Sequence, residues 1–137
     1  MNLEGLFRVL IVALTAIVAN GAQAQSWQLL NSSYALKSGE SVEVMDLYWV
    51  IDCESQLLSP PEVTILDGPP GVSASIDEAM VTPRMQQCSK PVKGAKLKLS
   101  AGKIEDHSHT TMTIRVRFQT LDGERQSGMS FNVTLFP

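Results

Sequence analysis

The sequence predicts an all-β protein, an antiparallel β-sandwich of about seven or eight short strands with one disulfide. Short runs rich in β-branched and aromatic residues recur along the chain. Turn signals built on Gly, Pro, Asn and Asp separate these runs at intervals of about 8–12 residues, as in sandwich folds. No stretch shows a convincing helical period. A small open barrel is the alternative architecture.

The first 24 residues have the three-part pattern of a secretory signal peptide. Arg8 precedes the apolar run Val9–Ala19, and the small-x-small triplet 22–24 follows it. The run has eleven residues, whereas a helix needs about 20 to cross a bilayer. We therefore expect cleavage after residue 24, no stable membrane insertion afterwards, and one β-sandwich domain over residues 25–137. An uncleaved membrane anchor is the alternative interpretation.

The charge is mildly acidic and scattered, with 11 Lys and Arg against 14 Asp and Glu and a net charge of -3. Removing residues 1–24 takes away Glu4 and Arg8 and leaves this net charge unchanged. Such a chain is not expected to bind nucleic acid, which requires a basic patch. One local basic cluster is interpreted as a solvated turn and strand face; it comprises Lys90, Lys93, Lys96 and Lys98.

The two cysteines, Cys53 and Cys88, are predicted to form a disulfide. A disulfide places the protein in an oxidising compartment, so we expect it to be exported to the periplasm or the extracellular space. The cysteines are 35 positions apart, and closing a loop of that size stabilises a fold by roughly 3–4 kcal/mol. Free thiols for metal or redox chemistry are the alternative, but there is no Cys-x-x-Cys motif.

The stretch Ser41–Cys53 is predicted to be a central strand, because both of its faces are largely apolar. The other cysteine, Cys88, lies in a polar segment without strand character. The bridge is therefore predicted to tie a core strand to a loop.

The last third of the chain predicts a β-hairpin. The runs Thr110–Thr120 and Gln126–Phe136 flank Asp122 and Gly123, a favoured centre for a type I′ turn. With these two residues as the loop, apolar side chains face apolar ones across the strands. The predicted pairs are Val116 with Met129, Ile114 with Phe131, Met112 with Val133, Arg115 with Ser130 and Thr113 with Asn132.

Trp49, the cysteine pair and the strand spacing make residues 26–136 resemble an immunoglobulin-like domain. The resemblance implies two packed antiparallel sheets. The chain departs from the antibody pattern in two respects. Its cysteine spacing is shorter, and no tyrosine lies two residues before Cys88.

Two histidines, His107 and His109, are candidate metal ligands. On a strand both rings lie on one face, where Asp106 or Met112 could complete a copper or zinc site. The alternative is a polar connection that enters a strand, because two histidines need further ligands placed by the fold.

Arg115 and Arg117 are candidate binding residues. They alternate with threonine and glutamine on the polar face of the predicted hairpin, a surface that could bind an anionic or carbohydrate partner. A solvated outer face is the alternative.

No catalytic set or cofactor motif is present in the sequence. Three carboxylate pairs are adjacent or lie in turns: Asp77 with Glu78, Glu105 with Asp106, and Asp122 with Glu124. Neither a Gly-x-Ser-x-Gly motif nor a phosphate-binding loop is found. We expect a non-catalytic exported module that binds a protein or carbohydrate partner or has a structural role, with metal handling as the alternative. Asn31 and Asn132 begin glycosylation triplets, which matter only in a eukaryotic secretory pathway.

Overall fold

The computed structural model describes residues 25–84 and 88–137, with residues 25–31 described by their backbone alone. The predicted signal peptide lies outside this range. Within the range, no helix is long and apolar enough to cross a membrane. The strands are β1 (Gln25–Lys37), β2 (Ser41–Leu47), β3 (Val50–Ile51), β4 (Glu54–Ser55), β5 (Glu62–Asp67), β6 (Val72–Val81), β7 (Val92–Ala101), β8 (Ser108–Thr120) and β9 (Gly123–Phe136).

The strands form two larger sheets and a small hairpin, which confirms the all-β prediction. The four-stranded sheet has the order β1-β9-β8-β5, and the three-stranded sheet has the order β2-β7-β6. All neighbours are antiparallel except β1 and β9, which run parallel. The apolar faces of both sheets contribute to one core cluster, which includes Leu97 and Leu99 of β7 and Ile114 and Phe131 of the β8–β9 hairpin.

The β8–β9 hairpin forms as predicted, but its predicted register is wrong by two residues. Val116 lies opposite Ser127 rather than Met129, and Met129 lies opposite Ile114. Side chains alternate with a period of two, so a shift of two residues leaves each side chain on its predicted face. The core and solvent faces of the hairpin are therefore as the sequence predicts.

The register differs because the turn is of another type. A type I′ turn needs positive φ at both central residues, and here only Gly123 has it, with φ of 100°. The loop residues are Leu121 and Asp122. Thr120 holds them through its hydroxyl, which accepts a hydrogen bond from the Asp122 N–H at 3.2 Å and donates one to the Gly123 carbonyl at 2.7 Å.

The prediction of one central strand over Ser41–Cys53 is wrong. β2 ends at Leu47 and lies at an edge of its sheet. Its pairing with β7 is interrupted at Val44, so Val44 and Met45, adjacent in sequence, both pack against the core. A bulged edge strand thus has the two-sided apolar pattern that otherwise indicates a central strand.

The predicted disulfide is confirmed: Cys53 and Cys88 are bonded, with their Cα atoms 5.4 Å apart. Cys53 lies in the turn between β3 and β4, not on a core strand as predicted, while Cys88 lies in a connection before β7, as predicted. Asp52 and Cys53 have φ values of 52° and 62°, an unfavourable region for residues other than glycine. Positive φ at both loop residues is the geometry of a type I′ turn, and the bridge fixes this turn onto the β6–β7 connection.

Candidate functional site

The outer surface of the β8–β9 hairpin carries most of the candidate residues. Strand alternation buries the even-numbered apolar residues of β8 and turns the odd-numbered polar ones outward. On β9 the outward residues from Ser130 onward are even-numbered. We define the β8–β9 face as His107, His109, Thr111, Thr113, Arg115, Arg117, Ser130, Asn132, Thr134 and Phe136.

Cross-strand hydrogen bonds fix the middle of this face. The Thr113 and Ser130 hydroxyls lie 2.9 Å apart, and the Thr111 hydroxyl donates to the Asn132 Oδ1 atom at 3.3 Å. Each hydroxyl still has a lone pair for another hydrogen bond. The face therefore presents oriented polar groups at the spacing of neighbouring strands, about 4.8 Å.

The two histidines lie at one end of the β8–β9 face. The His107 ring packs against Phe136, with ring centroids 4.8 Å apart, and the His109 Nδ1 atom lies 2.8 Å from the Thr134 hydroxyl oxygen. Among the described residues there is no group of three or more His, Cys, Asp or Glu that could hold a metal ion. The metal site remains a prediction, and the observed partners of both rings are an aromatic ring and a hydroxyl.

Arg117 is fully engaged with a carboxylate on its own hairpin. Its Nε and Nη2 atoms each lie 3.0 Å from the Glu124 Oε1 atom. Gln119 donates to the same oxygen at 2.9 Å, and Gln126 donates to Oε2 at 3.3 Å. Hydrogen bonds from Gln119, and next from Arg117, hold the pKa of Glu124 below its ordinary value. Arg117 and Glu124 therefore form a closed polar cluster.

Arg115 lies two residues away on the same strand, and its surroundings are different. Its register neighbours are Thr64 on β5 and Gly128 on β9, neither of which is charged. It makes no ion pair with any residue in the described part of the chain. The side chain is half-buried, and its Nε atom is buried without a hydrogen-bond acceptor. Since such an N–H normally has a partner, this guanidinium is the least satisfied group on the face.

The outer face of the three-stranded sheet carries more charge, but that charge is paired. Lys98 lies 3.2 Å from Asp77, and Lys96 lies 3.3 Å from Asp46 and 3.6 Å from Glu43. The hydrogen bond and charge of Asp46, with the charge of Glu43, raise the pKa of Lys96. Two of the four lysines interpreted as a solvated basic cluster are thus neutralised by acids on neighbouring strands.

Sequence reasoning named Arg115 and Arg117 together but could not separate them. It placed Glu124 among carboxylates in turns and missed its role as the acceptor for three side chains. The available sequence signal for this cluster was strand alternation, which puts four residues on one face: Arg117, Gln119, Glu124 and Gln126. Their contacts depend on the register, in which Gln119 lies opposite Glu124 and Arg117 opposite Gln126.

Comparisons of the chain with protein-family models, characterised proteins and solved structures found no match.

Proposed function

We propose that the protein is an exported, non-catalytic β-sandwich of immunoglobulin-like topology that binds an acidic carbohydrate on the β8–β9 face. Two arrangements support the topology. In immunoglobulin constant-type domains the second, fifth and fourth strands share one sheet, and the third, sixth and seventh share the other. The two-residue strands β3 and β4 aside, β2-β7-β6 and β5-β8-β9 follow this order. The disulfide differs, since it joins two connections rather than two core strands.

The disulfide is consistent with export, because such bonds form and persist in oxidising compartments. The three-part pattern of residues 1–24 also favours export. We place the protein in the periplasm or the extracellular space on these two grounds.

Arg115 is the observation that carries the binding proposal. A guanidinium that has no ion pair among the described residues, and whose direct cross-strand neighbours Thr64 and Gly128 are neutral, attracts an anion. Its Nε atom is buried, so the two terminal Nη groups of the planar guanidinium are the ones that would meet the two oxygens of a carboxylate. The ligand is therefore expected to contribute the carboxylate that Arg115 does not find among the described residues.

The rest of the face favours a carbohydrate as the carrier of that carboxylate. Sugar hydroxyls both donate and accept hydrogen bonds, as do Thr111, Thr113 and Ser130. The exposed ring of Phe136, supported by His107, provides an apolar surface at the end of the polar row. From residue 107 to residue 115 the face extends about 27 Å, given a rise of about 3.4 Å per residue. A uronic acid oligosaccharide combines the required carboxylate and hydroxyl groups along a chain.

Isothermal titration calorimetry with oligogalacturonate tests this proposal. The methyl ester of the same oligosaccharide is the matched ligand, since it keeps the sugar and removes the charge. We expect the acid form to bind and the ester to bind at least about tenfold more weakly, because charge-assisted hydrogen bonds contribute about 1.5–3 kcal/mol.

The matched protein variants lie on the same strand and face. Arg115→Met should weaken binding by at least about tenfold. The double variant Arg117→Met with Glu124→Gln removes one charge of each sign and should bind like the wild type. Equal affinity for acid and ester, or equal losses in the two variants, would contradict the proposal.

A further inference from the structure

The edges of the two larger sheets differ in how well they are protected from pairing with another strand. An edge strand presents unpaired N–H and C=O groups, and proteins commonly disrupt such edges with bulges, proline or lysine. β1 has a register shift between Leu29 and Ser33, and β5 has one between Ile65 and Asp67. β2 is bulged at Val44.

β6 is the exception among these four edges. It pairs with β7 over ten consecutive residue pairs without a register shift. Residues 72–81 contain no proline, lysine or arginine. The other side of β6 has no strand neighbour in the described part of the chain. β6 therefore offers a regular ten-residue template for another strand.

Backbone alternation determines which groups of β6 are open. The Gly102 N–H donates to the Gly71 carbonyl at 2.8 Å, and these two residues continue the register between β6 and β7. Hydrogen-bonded pairs alternate with non-hydrogen-bonded pairs in an antiparallel ladder, so the odd-numbered residues of β6 bond to β7. The even-numbered residues direct their N–H and C=O groups to the open side; they are Val72, Ala74, Ile76, Glu78 and Met80.

The open groups allow one centred register when two copies of β6 pair antiparallel about a two-fold axis. Directly opposite residues of an antiparallel pair lie on the same face of the sheet, and a two-fold axis keeps each residue on its own face. Even-numbered residues of one copy therefore pair with even-numbered residues of the other. Centring the pairs on β6 places Ile76 opposite Ile76 of the second copy. Two main-chain hydrogen bonds in each of the five open pairs would join the strands, about ten in all.

The inward-facing side chains of β6 are compatible in this register. Val72 would lie opposite Met80, and the two copies of Ile76 would meet at the axis, so these pairs are apolar. Glu78 would lie opposite Ala74, which is small and uncharged. A register centred on Glu78 would instead bring two carboxylates face to face, which is destabilising. The side chains therefore favour the centred register.

The outward-facing side chains of β6 are also compatible. Ser75 would lie opposite Asp77 of the second copy, where its hydroxyl can donate to the carboxylate. Each Asp77 is already neutralised by Lys98 of its own copy, at 3.2 Å. The acidic residues of β6 therefore do not oppose pairing with a second copy.

Exposed apolar side chains are concentrated on the same side of the sandwich. β5, the outermost strand of the other sheet, precedes β6 in the chain and contacts it. Ile65 and Leu66 of β5 and Met80 of β6 are all exposed, with 59% of Met80 accessible. Exposed apolar surface of this kind marks interaction sites. A second copy on β6 would bring apolar surface onto this side of the molecule.

We propose that the protein forms a two-fold symmetric dimer by antiparallel pairing of β6 with β6, which joins the two three-stranded sheets into one sheet of six strands. A second copy is the occupant of this edge because the open main-chain groups, the apolar residues and the charges of β6 are complementary to β6 itself. This surface is on the opposite sheet from the β8–β9 face and does not depend on carbohydrate binding.

Sedimentation velocity of the exported protein over a range of concentrations tests dimerisation, and amide hydrogen exchange locates the interface. We expect a dimer whose fraction increases with concentration. Exchange should slow at the even-numbered residues from 72 to 80 as the dimer forms, because the odd-numbered N–H groups are already bonded to β7.

A matched pair of surface variants tests the apolar contacts. Met80→Lys puts a charged group opposite Val72 in both halves of the interface, so it should weaken the dimer at least about tenfold. Leu121→Lys is the control, because Leu121 is an equally accessible apolar residue on the β8–β9 turn, away from β6. Its dimerisation should equal that of the wild type.

Cysteine cross-linking tests the register. Ser73 would lie opposite Ala79 of the second copy in a non-hydrogen-bonded pair, where Cα atoms are about 4.5 Å apart, within the range of a disulfide. A mixture of Ser73→Cys and Ala79→Cys should form a disulfide-linked heterodimer on mild oxidation. Either variant alone should not, because its two introduced cysteines would lie about 20 Å apart in the dimer.

Four results would overturn the proposal. A wild type that stays monomeric at millimolar concentration would exclude the dimer, and protection confined to strands other than β6 would place the interface elsewhere. Cross-linking of Ser73→Cys with itself, but not with Ala79→Cys, would show that the register is wrong. A monomeric chain whose β6 is protected only by a different protein would make that protein the occupant.

Discussion

The outer faces of the two sheets handle charge in opposite ways. On the three-stranded sheet Lys96 and Lys98 each lie within ion-pair distance of a carboxylate on a neighbouring strand. On the β8–β9 face Arg117 is paired with Glu124, but among the described residues Arg115 has no such partner and its Nε atom lacks an acceptor. A charged side chain that is paired within the fold is not free to bind a ligand, whereas an unpaired, half-buried charge is available to one. The charges of the first face are paired within the fold, and the binding role is proposed for the second face alone.

The largest expected effect is on the free energy of unfolding, and it concerns the disulfide rather than either face. Replacing both cysteines, Cys53→Ser with Cys88→Ser, should lower the free energy of unfolding by about 3–4 kcal/mol, because the unfolded chain regains loop freedom. Urea unfolding measures this loss. Ligand binding at Arg115 should persist under conditions where the variant stays folded. A loss of binding without unfolding would show that the β8–β9 face depends on the bridge.

The structural role of the three-stranded sheet is tested by Gly94→Ala. A Cβ atom at this position would lie 2.5 Å from both the Leu47 carbonyl oxygen and a Val81 methyl carbon. One of these neighbours is backbone, so the strand would have to move, at a cost of about 1–3 kcal/mol. Gly102→Ala is the matched control, because its nearest neighbour would be 3.6 Å away. In thermal or urea unfolding, the stability of Gly102→Ala should be close to that of the wild type, and the stability of Gly94→Ala should be well below it.

The same substitution should change the free energy of unfolding in opposite directions at the two arginines of the β8–β9 face. Arg115→Met removes a buried N–H without an acceptor, so we expect the free energy of unfolding to rise by up to about 1 kcal/mol. Arg117→Met leaves the Glu124 carboxylate without its ion pair, so we expect the free energy to fall. Urea unfolding of the two variants in one buffer makes the comparison. Equal destabilisation by both would mean that Arg115 is a structural residue.

The smallest expected effect concerns pH. The pKa of Glu124 lies below its ordinary value of 4.5, so its charged form stabilises the fold above that value. This contribution is lost as the pH falls through the lowered pKa. The difference in the free energy of unfolding between the wild type and Glu124→Gln should therefore be greatest near neutral pH and should decrease below about pH 4.5. A difference that stays constant down to pH 3 would contradict the assigned role of Glu124.

The sequence predicted the hairpin faces correctly, because alternation with a period of two survives an even shift in register. It did not predict the register itself, since the position of the turn depends on Thr120 and on φ at a single glycine. It misassigned Ser41–Cys53, because a bulge at Val44 makes an edge strand look central. The pairing of the cysteines was predicted from their number and the expected export, and the structure confirms it.

Candidate site residues were named by type, but their partners could not be predicted. Arg115 and Arg117 have the same spacing, the same face and similar sequence neighbours. The difference between them is set by which β9 residue lies opposite each one, Gly128 or Gln126, and by the reach of Glu124. Long-range pairing of this kind depends on the folded register and is not visible in a local pattern.

The most direct test of the binding role is a nuclear magnetic resonance titration of the isotopically labelled protein with oligogalacturonate. We predict saturable chemical-shift changes centred on Arg115 and extending over Thr111, Thr113 and Ser130, with β2 and β7 unaffected. Arg115→Met should remove these changes while leaving the spectrum otherwise folded. Shifts centred on Lys96 and Lys98, or no saturable shifts at all, would contradict the account.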